Sequence, residues 1–364
     1  MAYTAPVEQI AFILNNVVAF RQLAETELFA EATPETVTAI LTEAGKLADE
    51  VIAPVNRAGD LTPARLENGK LRSSPGYAEA FRALADGGWI GVSANPEHGG
   101  MGLPQALNAA VMEMIGSGCL ALQLNPLLTQ GQIEALEHHG SDHLKETYLP
   151  KLISGEWSGT MNLTEPQAGS DVGALTTRAE RAGDGTYRIT GQKIFITWGE
   201  HDLADNIVHL VLARLPDAPA GVKGISLFIV PKFLVNADGS LGARNAVSVG
   251  KIEEKMGILA SSTAELVFED AEVPANADAA SAISRRVQKH SYTSVPSDST
   301  AARYAARRVD CHQTGPSKRR PRAWRSAICR RATPGAPATR CWSRSSIRKT
   351  HGCLSARANS HASK

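Results

Sequence analysis

The sequence predicts an α+β chain: a helical domain followed by a small antiparallel β-barrel or sandwich domain. Three observations predict it. Apolar residues recur at helical spacing up to about residue 155. After Gly159 the pattern changes to short apolar runs separated by turn residues. No strand–GxGxxG–helix run and no βαβ alternation occurs, which argues against a dinucleotide-binding parallel sheet.

The elements follow in order. Ile10 to Phe20 is an apolar run too short and interrupted to span a membrane, and reads as a leader helix within residues 1–35. Thr33 offers an N-cap, Pro34 suits the first helical position and Glu35 favours the first turn. Val37, Ile40, Leu41, Ala44, Leu47, Ala48 and Val51 then form one stripe, which Pro54 is expected to end. Tyr77, Phe81 and Leu84 mark another helix, stopped at Gly87-Gly88. Pro104 opens a helix carrying Leu107, Val111, Met114 and Ile115. A further helix is expected after Pro126, ending near His138-His139-Gly140, and Ser141 caps the next. The helical domain is thus placed at 36–155.

A β-domain is placed at 156–275. Thr186 to Thr190, a Gly191-Gln192 turn and Lys193 to Thr197 read as a hairpin. Ile207 to Ala213, Ile225 to Val230 and Ala264 to Phe268 are further strands.

Charge divides the chain again. Residues 1–280 hold 19 Lys/Arg against 35 Asp/Glu, a net of −16, whereas 281–364 hold 19 against 2, a net of +17. Four of five cysteines lie in that tail. The lone early one, Cys119, reads as a small buried apolar residue, and no disulfide framework is expected. The start lacks a secretory signal and no long apolar run suggests a span, so a soluble cytoplasmic protein is expected, without membrane association. His138-His139 reads as a cationic helix end, and no metal site is assigned. Pro96 to Gly102 lacks the Lys-Ser/Thr of a phosphate loop and reads as a turn.

One stretch carries chemistry: Met161 to Ser170, MNLTEPQAGS, followed by Asp171-Val172-Gly173. Thr164 and Ser170 offer hydroxyls, Pro166 stiffens the backbone, and Gly169 permits close approach of a ligand. Amides around a glycine form an anion nest. Glu165 and Asp171 would repel phosphate, and are expected to turn onto nearby amides. Turn chemistry alone also accounts for this composition.

The stretch resembles the flavin-binding loop of the acyl-CoA dehydrogenase family. Gly191 to Thr197 resembles that family's next flavin-contacting strand, Glu254 to Phe268 the end of its middle domain, and Pro96 to Gly102 a turn of its N-terminal domain. The opening residues are similar to the subgroup that includes 3-methylmercaptopropionyl-CoA dehydrogenases. The resemblance implies FAD as cofactor, with Met161, Leu163, Thr164, Gly169, Ser170, Phe195, Ile196 and Thr197 as its contacts and Ser170 also near the CoA arm. On spacing alone, Phe195 serves equally as a core residue. The resemblance also implies α,β-dehydrogenation of an acyl-CoA, electron transfer to an electron-transfer flavoprotein, and a homo-oligomer. If it holds, segments 161–170 and 195–197 must converge.

The resemblance stops near Pro274. The family's C-terminal helical bundle, which carries its catalytic glutamate, has no counterpart in 276–364, a stretch without Glu. The chain is therefore expected to lack a catalytic base and to be truncated and inactive as written, with a low-complexity, disordered tail. An out-of-frame origin accounts for the tail; a basic nucleic-acid-binding arm, best at Ser317 to Arg325, is the alternative and would make the chain a non-catalytic flavin or acyl-CoA binder.

Overall fold

The structure, a computed structural model, describes residues 3–274. The basic tail, with its expected disorder, its Ser317–Arg325 segment and its four cysteines, lies outside the described residues.

Seven α-helices come first: α1 (Val7–Asn16), α2 (Arg21–Ala24), α3 (Pro34–Leu47), α4 (Ala53–Leu61), α5 (Tyr77–Asp86), α6 (Gln105–His139) and α7 (Asp142–Ile153). The chemistry of the caps holds. Thr33 Oγ1 accepts from the Thr36 N–H, and Ser141 Oγ accepts from the Leu144 N–H. Two breaks fall elsewhere than expected. Pro54 does not end its helix; Ala48–Ile52 widens into a π-helix, and Pro54 lies in the first turn of α4. The Ala53 N–H reaches back five residues to the Ala48 carbonyl, so the chain stays helical into the proline through the wider π turn. Pro126 does not start a helix either, since α6 runs through it and leaves helical geometry at Cys119 instead (φ −152°, ψ 93°). The neighbouring Gly118 packs on that π-helix, where an added Cβ would stand 3.2 Å from the Ala48 carbonyl oxygen. The break thus lies where the two helices cross. Cys119 is fully buried, as expected. The centre of α6 is long and apolar enough to cross a membrane, with 67% of that window packed inside the protein.

Between α4 and α5, β1 (Arg65–Glu67) and β2 (Lys70–Arg72) form a hairpin across Asn68-Gly69, both at positive φ. After α7 come β3 (Trp157–Asn162), β4 (Arg178–Arg181), β5 (Tyr187–Ile196), β6 (Asn206–Arg214), β7 (Ile225–Pro231), β8 (Phe233–Val235), β9 (Leu241–Arg244), β10 (Val247–Ile252) and β11 (Ala264–Val273). Seven of these form one sheet in the order β10-β11-β5-β4-β6-β3, with β7 on β6; β8 and β9 pair separately. The pairings are antiparallel, β6 with β7 included, except that β6 runs parallel to β3 with Trp157 opposite Asn206, and parallel to β4 where Arg178 faces Arg214.

The expected hairpin at 186–197 is one continuous strand, β5. Gly191 makes no turn. It admits the crossing chain: a Cβ there would stand 2.5 Å from Thr177 Oγ1.

The two domains share a core. Val208 and Leu210 of β6 pack with the helices, while Val211 and Ala213 face a second core inside the curled sheet with Ile189, Phe228 and Phe268. Trp198, which the sequence leaves unassigned, is fully buried at this junction. Polar groups are buried here too. His201 hydrogen-bonds Ser158 at 2.7 Å, and His209 hydrogen-bonds Thr160 at 2.7 Å. Burial, with Lys232 nearby, pushes both imidazoles down to about 3, so both are neutral.

Candidate functional site

β3 ends at Asn162 and the chain enters a loop that reaches β4 at Arg178. The loop meets β5 directly, because the Ile194 N–H donates to the Thr164 carbonyl at 2.9 Å. Segments 161–170 and 195–197 therefore converge. Beyond Thr164 the chain doubles back, with Glu165 and Ala168 exchanging main-chain hydrogen bonds at 2.9 and 3.0 Å. This brings Gly169 beside Thr164, whose Cγ2 lies 3.7 Å from where a Gly169 Cβ would be. Gly169 and Ser170 are exposed, and no described residue accepts from either N–H. Those amides are free for a ligand's acceptors.

The acidic residues are turned away, as the sequence analysis expects. Asp171 Oδ1 accepts from the Gly173 N–H at 3.0 Å. Glu165 is buried and accepts from the Thr176 and Thr177 N–H groups at 2.7 and 3.1 Å. It also forms an ion pair with Lys193 of β5 at 2.8 Å, each side chain at most 2% exposed. Burial alone would raise the carboxyl; hydrogen bonds from Lys193, Thr176 and Thr177 overcome it and hold Glu165 at about 2. Burial lowers Lys193, against the opposing pull of Glu165. Lys193 Nζ donates in addition to the Leu163 carbonyl at 3.1 Å.

On β5 the register shifts between the Leu266–Lys193 and Ala264–Ile196 pairs. The bulge turns Phe195 outward: the residue is 59% exposed and its φ is +58°. A bulky residue in the left-handed region is strained. An exposed aromatic held on a strand suits stacking on a flat heterocycle. The remaining expected contacts divide. Leu163 and Thr197 are half-buried near the same convergence. Met161 packs against the helical core. Ile196 is buried in the curled sheet's core, so only its main chain is available to a ligand.

Two features escaped the sequence reading. The first is the Glu165–Lys193 pair. The second is Arg214, whose Nη2 donates to the Gly173 carbonyl at 3.0 Å and whose Nη1 donates to the Gly221 carbonyl at 3.0 Å, tying the loop to the segment before β7. The Pro96–Gly102 turn takes no part in anion binding: its Gly100, Met101 and Gly102 amides are spent on the Asn95, Gly91 and Ala94 carbonyls.

Residues 33–156 match the family description "Acyl-CoA dehydrogenase, N-terminal domain", and residues 160–271 match "Acyl-CoA dehydrogenase, middle domain". The chain is 48% identical over 271 residues to 3-methylmercaptopropionyl-CoA dehydrogenase of Ruegeria pomeroyi, an alignment covering 74% of this chain and 46% of that protein. Among solved structures it is similar to an acyl-CoA dehydrogenase of Bacillus anthracis complexed with FAD (25% identity, TM-score 0.54, 68% of this chain and 37% of the other). It is also similar to butyryl-CoA dehydrogenase of Megasphaera elsdenii (27% identity, TM-score 0.53, 69% and 57%). The chain spans less than half the length of the curated relatives it matches most strongly.

Proposed function

Because the chain belongs to the acyl-CoA dehydrogenase family, whose N-terminal and middle domains it carries, we propose that it binds FAD where the 161–170 loop meets β5, through Thr164, Gly169, Ser170 and Phe195. The observation that carries this reading is the meeting of Thr164 and Ile194 through one main-chain hydrogen bond. It joins the loop that carries the Thr164 hydroxyl and the unpartnered Gly169 and Ser170 amides to the strand residue that immediately precedes the exposed Phe195. These residues fit a flavin: the ring of Phe195 for the isoalloxazine face, Thr164 for its polar edge, the Gly169 and Ser170 amides for phosphate. FAD, when bound, supplies the hydride acceptor for α,β-dehydrogenation of an acyl-CoA thioester.

The chain's own share of that reaction is binding and orientation. Thr164 and the loop amides fix the ring edge. Phe195 covers one face from water. Ser170, exposed at the loop tip, lies where a CoA arm would pass. Neither local carboxylate is suited to removing the substrate α-proton, since Glu165 is held ionised at about 2 by its donors and Asp171 is turned onto Gly173. We therefore assign no catalytic base to residues 3–274, and propose that the chain as written binds flavin without turning over. The electron acceptor in this reading is an electron-transfer flavoprotein.

The test is anaerobic. FAD fluorescence is titrated with the full chain, and the bound flavin band is then followed on adding butyryl-CoA. Quenching without bleaching is expected. Failure to quench removes the flavin assignment, and bleaching at enzymic rates removes the statement about the base.

A further inference from the structure

A buried ion pair is weak evidence for stability, because an apolar pair of equal volume fills the space without desolvating two charges. What the Glu165–Lys193 pair provides and an apolar pair would not is direction. Each oxygen of Glu165 takes three donors. Oε2 accepts from Gln167 Nε2 (2.6 Å), Thr176 N (2.7 Å) and Thr176 Oγ1 (2.9 Å). Oε1 accepts from Thr177 Oγ1 (2.6 Å), Lys193 Nζ (2.8 Å) and Thr177 N (3.1 Å). A carboxylate has about four lone-pair sites, so this one is saturated.

The donors come from three places. Gln167 follows Glu165 at the start of the loop, Thr176 and Thr177 end the loop, and Lys193 stands on β5. Lys193 in turn holds the Leu163 carbonyl. One side chain thus closes the loop across residues 166–175 and fastens the closed loop to the strand that presents Phe195. Gly191 is the matching concession on β5, since any Cβ there would collide with Thr177 Oγ1.

We propose that Glu165 and Lys193 are positioning residues whose role is to fix Thr164 against the Phe195 bulge before any ligand arrives. The loop-fixing role stands on the geometry alone; its meaning for cofactor binding rests on the flavin reading above. The meeting of loop and strand is then preorganised, and binding does not have to order the ten-residue loop.

The test uses the full chain and two independent variants. Glu165→Leu with Lys193→Met removes both charges and keeps the volume filled; Gly191→Ala expels Thr177 and leaves the pair's chemistry intact. Hydrogen exchange is read at the Ile194 and Ala168 amides, whose acceptors are the main-chain carbonyls of Thr164 and Glu165 and survive both changes. The expected result is exchange at least threefold faster at these two amides in each variant that folds, with the β6–β7 amides within threefold of the unmodified chain. Acceleration below threefold at Ile194 and Ala168, or equal acceleration in β6–β7, overturns the proposal. If the paired variant does not fold, Gly191→Ala decides by the same criterion. FAD fluorescence quenching is measured in parallel. An unmodified chain that does not quench counts against the flavin reading, and the exchange result still judges the positioning role.

Discussion

Trp198 Nε1 donates to the Ala121 carbonyl at 3.0 Å, across 77 residues of sequence. The indole leaves β5's trailing turn at a positive φ of 54° and enters the helical domain two residues past the break in α6. It packs beside Tyr77 and His201 there, at ring-centroid distances of 6.2 and 5.7 Å. The end of β5, with Phe195, and the turn that begins at Thr197 are thus anchored to the helices by Trp198.

Trp198→Phe keeps most of the volume and removes one hydrogen bond to the Ala121 carbonyl, and is expected to cost about 0.5–1.5 kcal/mol. Trp198→Ala leaves a cavity as well and is expected to cost about 3–5 kcal/mol. Urea unfolding midpoints read both. Equal stability of the phenylalanine variant and the parent would show the hydrogen bond to be unimportant.

Phe195 separates stability from binding. Replacing it with glycine removes a side chain that is mostly exposed and relieves a left-handed φ whose cost is roughly 1–2 kcal/mol. The Phe195→Gly chain should therefore unfold at equal or higher urea concentration while quenching FAD at least tenfold more weakly. A destabilised variant with unchanged quenching would contradict both halves.

Thr164→Val is nearly isosteric and leaves the main-chain bond to Ile194 in place. Stability should change by less than about 0.5 kcal/mol. The lost hydroxyl should weaken FAD by about 1 kcal/mol, a factor of roughly five. Isothermal titration with FAD measures it, and unchanged affinity would remove Thr164 from the site.

Acid should unfold the protein in two stages. His201 and His209 have folded values near 3 against an ordinary 6.5. Between those values the unfolded chain binds more protons, so stability is complete above 6.5 and falls as pH drops below it. Each histidine contributes a slope of up to about 1.4 kcal/mol per pH unit. His209→Gln should halve the slope between pH 6 and 5. Glu165, depressed from 4.5 to about 2, adds a second loss that begins as pH falls through the mid-fours. A flat profile from pH 7 to 5 would mean the imidazoles are not buried as described.

Residue types with one structural meaning were legible in the sequence. Thr33, Ser141 and the Gly87-Gly88 stop behave as their chemistry dictates, and the strands at 207–213 and 225–230 stand out because each is apolar but for one residue, His209 and Ser226. Residues with two meanings misled. Pro54 and Pro126 read as boundaries, yet a π-helix absorbs one and α6 continues through the other. Gly191 read as a turn, but serves close packing against Thr177. The Asn68-Gly69 signal was present and unused. The loop residues Thr164, Gly169 and Ser170 carry local chemistry and were found. Glu165 and Lys193 are 28 residues apart, and neither signals the other until the fold brings them together.

The parallel pairing of β3 with β6 also governs how the chain matures. Trp157 must wait for Asn206, 49 residues later. At a synthesis rate of about 5–20 residues per second, that delay is roughly 2–10 s, far longer than hairpins or helices need to form. During elongation β3 leaves the ribosome with an edge whose strand partner does not yet exist, and the longer that interval the longer the edge stays open to wrong pairing. Synonymous codon changes that slow translation between 163 and 205 should therefore lower the soluble yield without altering a single amino acid.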